Sequence, residues 1–331
     1  MPNDFNEGTP LILRPEGRTF QTRQLLFVLL LGQTLAIANT AASSFTTLLA
    51  RHGTSIPAAQ TILNYALLNC LFTPYTVYRY GFRPWTRLLI RDGWKYAILA
   101  LCDVQGNFFI VLAYRHTTIL SAQLINFWAI VVVVLVSAFF LGVRYRLVQI
   151  VGILTCIAGM IILLASDKIT NNNGGNGGNG DSSDLLKGDL FALLGATFYG
   201  LTNTAEEYLV STRPVYEVLG QMAFFATLIN GVQALLFNGD ARIVFDGQTS
   251  VYLTGYTLSL TLFYSLVPFL LRRSSAAFFN ISLLTMNFWG VLIGIAIFHF
   301  HVHVLYPLAF LLILLGQVVY YIGHREENRL P

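Results

Sequence analysis

Asp103 and Asn107 stand four residues apart inside an apolar stretch of the chain, and Tyr114 follows seven residues after Asn107. On a helix this spacing puts all three on one face and leaves Gln105 off it. A second polar stripe runs Tyr199, Asn203, Glu206, with Glu207 and Tyr208 beside it. Gln33, Thr40 and Ser44 line up in a third apolar stretch, Gln123 and Asn126 fall in a fourth, and Asn280 and Asn287 stand seven apart in a fifth. Together these side chains suit the binding of a small polar solute. Amides read its donors and acceptors, tyrosines stack on its face, and carboxylates supply charge or carry a proton.

Each residue type also has a plainer use. Asn, Gln, Ser and Thr in apolar helices hydrogen-bond neighbouring helices. Glu206 and Glu207 read either as a site or as a wetted helix end. Asp103 is the leading candidate, because a carboxylate well inside an apolar span needs a partner or a water-filled pocket. The alternative for it is a structural ion pair with an arginine.

Other chemistries find no support. No Ser/His/Asp cluster, HExxH pair or P-loop occurs, so neither catalysis nor ATP hydrolysis is expected. Gly175, Gly177 and Gly180 match the dinucleotide fingerprint in spacing alone, in a low-complexity stretch with no strand before it. His299, His301 and His303 have no carboxylate or cysteine nearby, so no metal site is expected. The sequon at Asn280 lies within or at the end of an apolar run, where glycosylation is not expected. Cys70, Cys102 and Cys156 form neither a disulfide framework nor a metal spacing. No cofactor is implied.

The elements that must position these residues follow from composition. Hydrophobic residues make up 55% of the 331 and charged residues 11%, against about 25% charged in a soluble domain. Mean hydropathy is +0.62. This is the composition of a polytopic membrane protein. Ten runs approach the roughly 20 apolar residues of a span: Gln24–Leu49, Ile56–Tyr78, Trp94–Ala113, Ile119–Leu141, Leu147–Ala165, Gly188–Val210, Glu217–Phe237, Val251–Leu271, Ser275–Phe298 and Val304–Ile322. Links are short except 166–187, which holds "TNNNGGNGGNGD" and reads as a flexible linker. Residues 1–23 form a polar leading segment, with the first apolar run expected to act as a signal anchor, and 323–331 form a tail. Alternating the spans assigns 15 Lys and Arg to the side of the N-terminus and 5 to the other. Both termini are therefore expected in the cytoplasm, on a plasma-membrane or Golgi/endomembrane protein.

The chain also repeats itself. "NTA" occurs at Asn39–Ala41 and Asn203–Ala205, an offset of 164, and "NFW" at Asn126–Trp128 and Asn287–Trp289, an offset of 161. Both matches fall in corresponding runs of two sets of five. Residues 24–165 and 188–322 are thus expected to be two five-helix repeats. Five is odd, so the second repeat enters the membrane inverted, as in many secondary transporters. The two residues of "NFW" that flank its centre point about 200° apart on a helix. The asparagines are expected to face the interior, and the tryptophans to pack on helix neighbours or lipid.

Three stretches resemble a known family. "CDVQGNFFIVLAYRHTTILSAQLINFWAI" from Cys102, "YGLTNTAEEYLV" from Tyr199 and "FYSLVPFLLRRSSAAFFNISLLTMNFW" from Phe263 are similar to the helix 3–4, helix 6 and helix 8–9 segments of solute carrier family 35, F-type branch, in its fungal-like form. The resemblance runs from about Gln24 to Gly323. It implies an all-α drug/metabolite transporter fold of ten helices in two inverted five-helix repeats, working without a cofactor. It also implies a nucleobase- or nucleoside-like substrate such as queuine or queuosine. A nucleotide-sugar/nucleoside monophosphate antiporter is the alternative, and a non-transporting membrane receptor a further one. Asp103, Asn107, Tyr114, Ser121, Asn203, Glu206, Glu207, Tyr208 and Asn280 match the family pattern. Gln105 stands where the branch has Glu, and Asn126 and Asn287 stand where it has Asp. Those three substitutions keep hydrogen bonding and remove charge. The expected partners are a small-molecule substrate and membrane lipid, without nucleic acid, on a monomer or weak homodimer.

Overall fold

A computed structural model describes residues 18–51, 57–113, 125, 128–140, 142–172, 182–238, 246–286, 288–290, 292 and 305–327. These residues form ten helices: α1 Arg18–Arg51, α2 Pro57–Tyr80, α3 Phe82–Ala113, α4 Trp128–Phe140, α5 Leu147–Asn172, α6 Ser182–Thr212, α7 Val215–Asn238, α8 Gly247–Arg273, α9 Ala276–Leu283 and α10 Leu305–Glu327. No strand occurs among the described residues. One helix meets each of the ten apolar runs. Backbone N–H and C=O groups have no water to bond in hydrocarbon, and helices satisfy them within one segment.

The outer surface is apolar. Leu30, Leu71, Ile98, Phe139, Phe140, Leu154, Leu235 and Leu236 are all large and exposed. A soluble monomer rarely leaves so much apolar surface to water, and acyl chains suit it. Arg23–Thr46, Val215–Leu236 and Gly247–Arg273 are long and apolar enough to cross a bilayer by composition alone. Buried polar residues stand inside the bundle, among them Gln60, Thr61, Asn64, Asp103, Asn203 and Glu206 on α2, α3 and α6.

The main packing partners join one half of the chain to the other: α5 with α10, α2 with α7, α3 with α6, and α1 with α8. Around these, α3 also meets α7, α2 meets α8, α4 meets α6, and α1 meets α9. The α5–α10 crossing depends on glycine. A Cβ on Gly152 would sit 2.6 Å from the Tyr320 backbone nitrogen, and one on Gly316 would sit 2.7 Å from the Gly152 carbonyl oxygen. Nearby the Cys156 thiol donates to the Ile313 carbonyl at 3.3 Å. Bare backbones in contact gain dispersion energy that a side chain would exclude.

The run Ser275–Phe298 does not continue as one regular helix. Ser275 caps α9 by accepting from the Phe278 amide, and α9 ends at Leu283. The amides of Leu284 and Thr285 then bond three residues back, to Ile281 and Ser282 at 3.1 and 3.2 Å. This is a tighter turn than the α-helix. Its cause lies next door. The Thr285 hydroxyl takes the Ser282 carbonyl at 2.8 Å, and Thr40 of α1 donates to the Met286 carbonyl at 3.2 Å.

Candidate substrate-binding site

Asp103 and Asn107 do share a face of α3, and that face is turned inward. Asp103 is 3% exposed. Its Oδ2 accepts the Tyr65 hydroxyl of α2 at 2.5 Å and the Tyr264 hydroxyl of α8 at 2.8 Å; Oδ1 accepts Tyr264 at 3.0 Å. Asn107 Nδ2 lies 2.9 Å from the Tyr65 hydroxyl, 3.0 Å from the Tyr264 hydroxyl and 3.0 Å from the Asp103 carbonyl. An amide has two hydrogens, so Asn107 serves two of these three acceptors at a time. Its Oδ1 accepts the Tyr199 hydroxyl of α6 at 3.0 Å. Gly106 makes this last bond possible: a Cβ there would stand 2.9 Å from Tyr199 Cδ1.

The result is a directed chain of hydrogen bonds from amide to phenols to carboxylate, tying together α2, α3, α6 and α8. The arginine pair considered for Asp103 is absent: among the described residues its partners are hydroxyl groups and no cation bridges it. The Tyr65 and Tyr264 rings meet edge to face with centroids 6.0 Å apart. Tyr65 and Tyr264 stand outside the stripes expected from sequence. Tyr256 and Tyr264 stand eight apart in α8, both buried, a spacing that marks a shared helix face in the sequence. Tyr65 carries the same signal, with Thr61 four residues before it and Asn69 four after.

The other candidates separate into distinct contacts. Asn203 Nδ2 donates to Asn280 Oδ1 at 3.1 Å, joining α6 to α9, and Asn280 Nδ2 turns back to the Ala276 carbonyl at 2.8 Å. Asn280 is buried, which keeps the sequon at that position closed. Glu206 is 3% exposed. Glu207 Oε2 accepts the Ala276 amide at 3.0 Å, so this carboxylate helps cap the start of α9. Gln33 Oε1 accepts Trp289 Nε1 at 3.0 Å. Trp128 Nε1 donates to Thr197 at the same distance. Both tryptophans thus bond helix neighbours. Tyr114, Ser121, Gln123, Asn126 and Asn287 lie outside the described residues, as do His299, His301 and His303.

A second polar network closes one end of the bundle. Tyr80 and Tyr96 donate to the two oxygens of Glu217 at 2.6 and 2.5 Å. Arg213 reaches Glu217 at 3.7 Å and Asp92 at 3.1 Å, and Lys95 reaches Asp92 at 3.2 Å. Asp92 precedes the apolar part of α3. Burial opposes its ionisation, but Lys95, Arg213 and Arg91 outweigh that and hold the carboxyl below its ordinary value.

The profile of solute carrier family 35, F-type, matches residues 21–322. The chain belongs to solute carrier family 35. Among curated relatives in that family, an uncharacterized member from Schizosaccharomyces pombe is 43% identical over 302 residues, covering 91% of this chain and 58% of its own length. Solute carrier family 35 member F2 of Mus musculus is 31% identical over 307 residues, covering 92% of this chain and 80% of its own. The chain therefore spans little more than half of the fungal relative it matches. A solved crystal structure shares the fold with a TM-score of 0.64 at 19% identity, covering 94% of this chain and 99% of that one. Membership makes this an integral membrane protein of a solute-carrier family, and the family resemblance read from "CDVQGNFF" and "YGLTNTAEEY" is upheld.

Proposed function

We propose that this solute carrier family 35 protein is a secondary-active transporter working by alternating access. Its substrate is a small polar, nucleobase- or nucleoside-like solute such as queuine or queuosine. The observation that carries the reading is the closed network of Asp103, Asn107, Tyr65, Tyr199 and Tyr264. It gathers one carboxylate, one amide and three phenols from helices of both halves, in the middle of a protein whose outer surface is apolar. Phenol rings and amides suit the flat face and polar edge of a purine-like solute. A nucleotide sugar carries two phosphates and calls for Lys or Arg, and none bonds this network among the described residues. Asn203, Asn280, Glu206, Glu207 and Gln33 extend the proposed binding region, with Tyr114, Gln123, Asn126 and Asn287 assigned to it from sequence.

The inverted repeat of residues 24–165 and 188–322, around the 166–187 linker, is part of the same proposal. Trp128 and Trp289 are equivalent in the two "NFW" copies. Their partners Thr197 and Gln33 are 164 residues apart, the "NTA" offset. Gly152 and Gly316, at the α5–α10 crossing, share that offset. The helix pairing follows suit: exchanging each helix with the one five places on turns α3–α6 into α1–α8, and α4–α6 into α1–α9. Both termini are assigned to the cytoplasm on charge distribution.

The test uses purified protein in liposomes. Tritiated queuine, guanosine, UDP-glucose and a cationic amine are offered in turn. Saturable uptake of queuine or guanosine, abolished by Asp103→Ala, is expected. Uptake of UDP-glucose alone overturns the substrate class, and uptake undiminished in Asp103→Ala removes Asp103 from the site.

A further inference from the structure

Charge accounting around Asp103 leaves one carboxyl unexplained. Asp103 has hydroxyl donors on both oxygens. Glu206 lacks this at one oxygen: it is 3% exposed, and its Oε1 finds no hydrogen-bond donor among the described residues. Thr202 precedes it by one turn on the same face of α6, is 2% exposed, and its hydroxyl is equally without a partner. Two buried oxygens on one helix face are therefore without a partner among the described residues.

Among the described residues, the neighbouring helices offer Glu206 no counter-charge. The helix α3, which packs along α6, brings the buried Asp103, a like charge. From α8 come Tyr256 and Tyr264, and that helix reaches its exposed Arg272 and Arg273 only at its end, with Arg273 over the Phe27 ring. The start of α7 brings Arg213 and Glu217, already bonded to one another. The described lengths of α4 and α9 hold no titratable residue. On α6 itself Glu207 is held by the Ala276 amide and Tyr199 by Asn107. An ionised carboxylate with an open lone pair, buried away from water, is strongly disfavoured. Binding one proton removes that penalty. A metal ion would ask for more oxygens than Glu206 and Thr202 present.

We propose that Glu206 is a proton-binding site through which a proton gradient drives the transporter, with Thr202 as its hydrogen-bonding neighbour. The proton adds reversibly to the Glu206 carboxylate from one side of the membrane and leaves to the other. No other bond changes. This deepens the carrier reading and rests on it for the coupling, though not for the protonation itself.

Two measurements test it. Infrared spectroscopy of the protein in lipid, with and without carbon-13 glutamate, follows the carbonyl band of a protonated carboxylic acid from about pH 5 to about pH 9. The band is expected to shift on labelling, to vanish in Glu206→Gln, and to persist in Asp103→Asn. Liposomes loaded with a pH-sensitive dye then report proton entry when queuine is added, and Glu206→Gln is expected to fall to the protein-free rate. A band that survives Glu206→Gln, or that Asp103→Asn removes instead, overturns the assignment. So does queuine uptake driven by a sodium gradient and indifferent to pH. Solute uptake with no glutamate band overturns the proton site and leaves the carrier reading intact. A glutamate band with no solute moving does the reverse.

Discussion

Replacing Tyr264 by phenylalanine deletes one hydroxyl and leaves the ring. That hydroxyl donates to Asp103 at 2.8 and 3.0 Å and lies 3.0 Å from Asn107 Nδ2. A hydrogen bond to a charged group contributes about 1.5–3 kcal/mol, so a loss of about 2 kcal/mol is expected. Near this chain length each kcal/mol moves the melting temperature by about 2 °C, giving a fall of about 4 °C. The informative measurement is the same substitution in an Asp103→Asn background. There the hydroxyl faces a neutral amide, and its removal costs about 1 kcal/mol. A coupling of about 1 kcal/mol between the two positions should therefore emerge from the double-mutant cycle. Thermal unfolding of the four proteins in one detergent, at one scan rate, measures it. Equal shifts in both backgrounds would show that the hydroxyl does not serve the Asp103 charge, and the electrostatic account of the network would fail. Tyr65→Phe is the internal comparison, since its bond to Asp103 is the shorter at 2.5 Å.

Two further outcomes follow from the contacts. Trp128→Phe and Trp289→Phe each lose one indole hydrogen bond of 3.0 Å, and each should cost about 1 kcal/mol. A difference of more than about 1 kcal/mol between them, read from paired melting curves, would argue against equivalent structural roles. Asp92 is held ionised by Lys95, Arg213 and Arg91, so its contribution is present above the ordinary aspartate range, near pH 4, and is lost as pH falls through the lower folded value. Asp92→Asn should lower stability by at most about 1 kcal/mol at neutral pH, less in high salt, because its partners are partly exposed. The variant and the parent should converge under acid conditions, and a gap that persists there would refute the ionic account.

Periodicity made half of the site legible. Asp103 and Asn107, and separately Tyr199, Asn203 and Glu206, were placed on common faces because a helix repeats every 3.6 residues whatever surrounds it. Which stripes meet was not legible. Asn107 receives Tyr199 rather than Asn203, and Asn203 goes to Asn280, because that choice depends on the rotation and depth of α6 against α3 and α9. Gln33 looked like a third lining residue, yet one end of it holds Trp289. The partners of the two "NFW" tryptophans were not legible, since Thr197 and Gln33 differ in type and agree only in position.

The sequence by itself determined ten helices, a membrane setting, the family and the faces on which polar residues lie. Apart from the family, which the motifs show by resemblance, each of these follows from local rules: apolar length, hydrogen bonding within a segment, and helical repeat. Tertiary structure decided the rest. It brought Tyr65 and Tyr264 onto one carboxylate from positions 38 and 161 residues away. It closed the α5–α10 crossing on two glycines, broke the ninth run at Leu284, and left Glu206 Oε1 and the Thr202 hydroxyl buried with no partner among the described residues. Such pairings depend on how closely whole helices approach, a balance over many side chains that no single stretch of the chain contains.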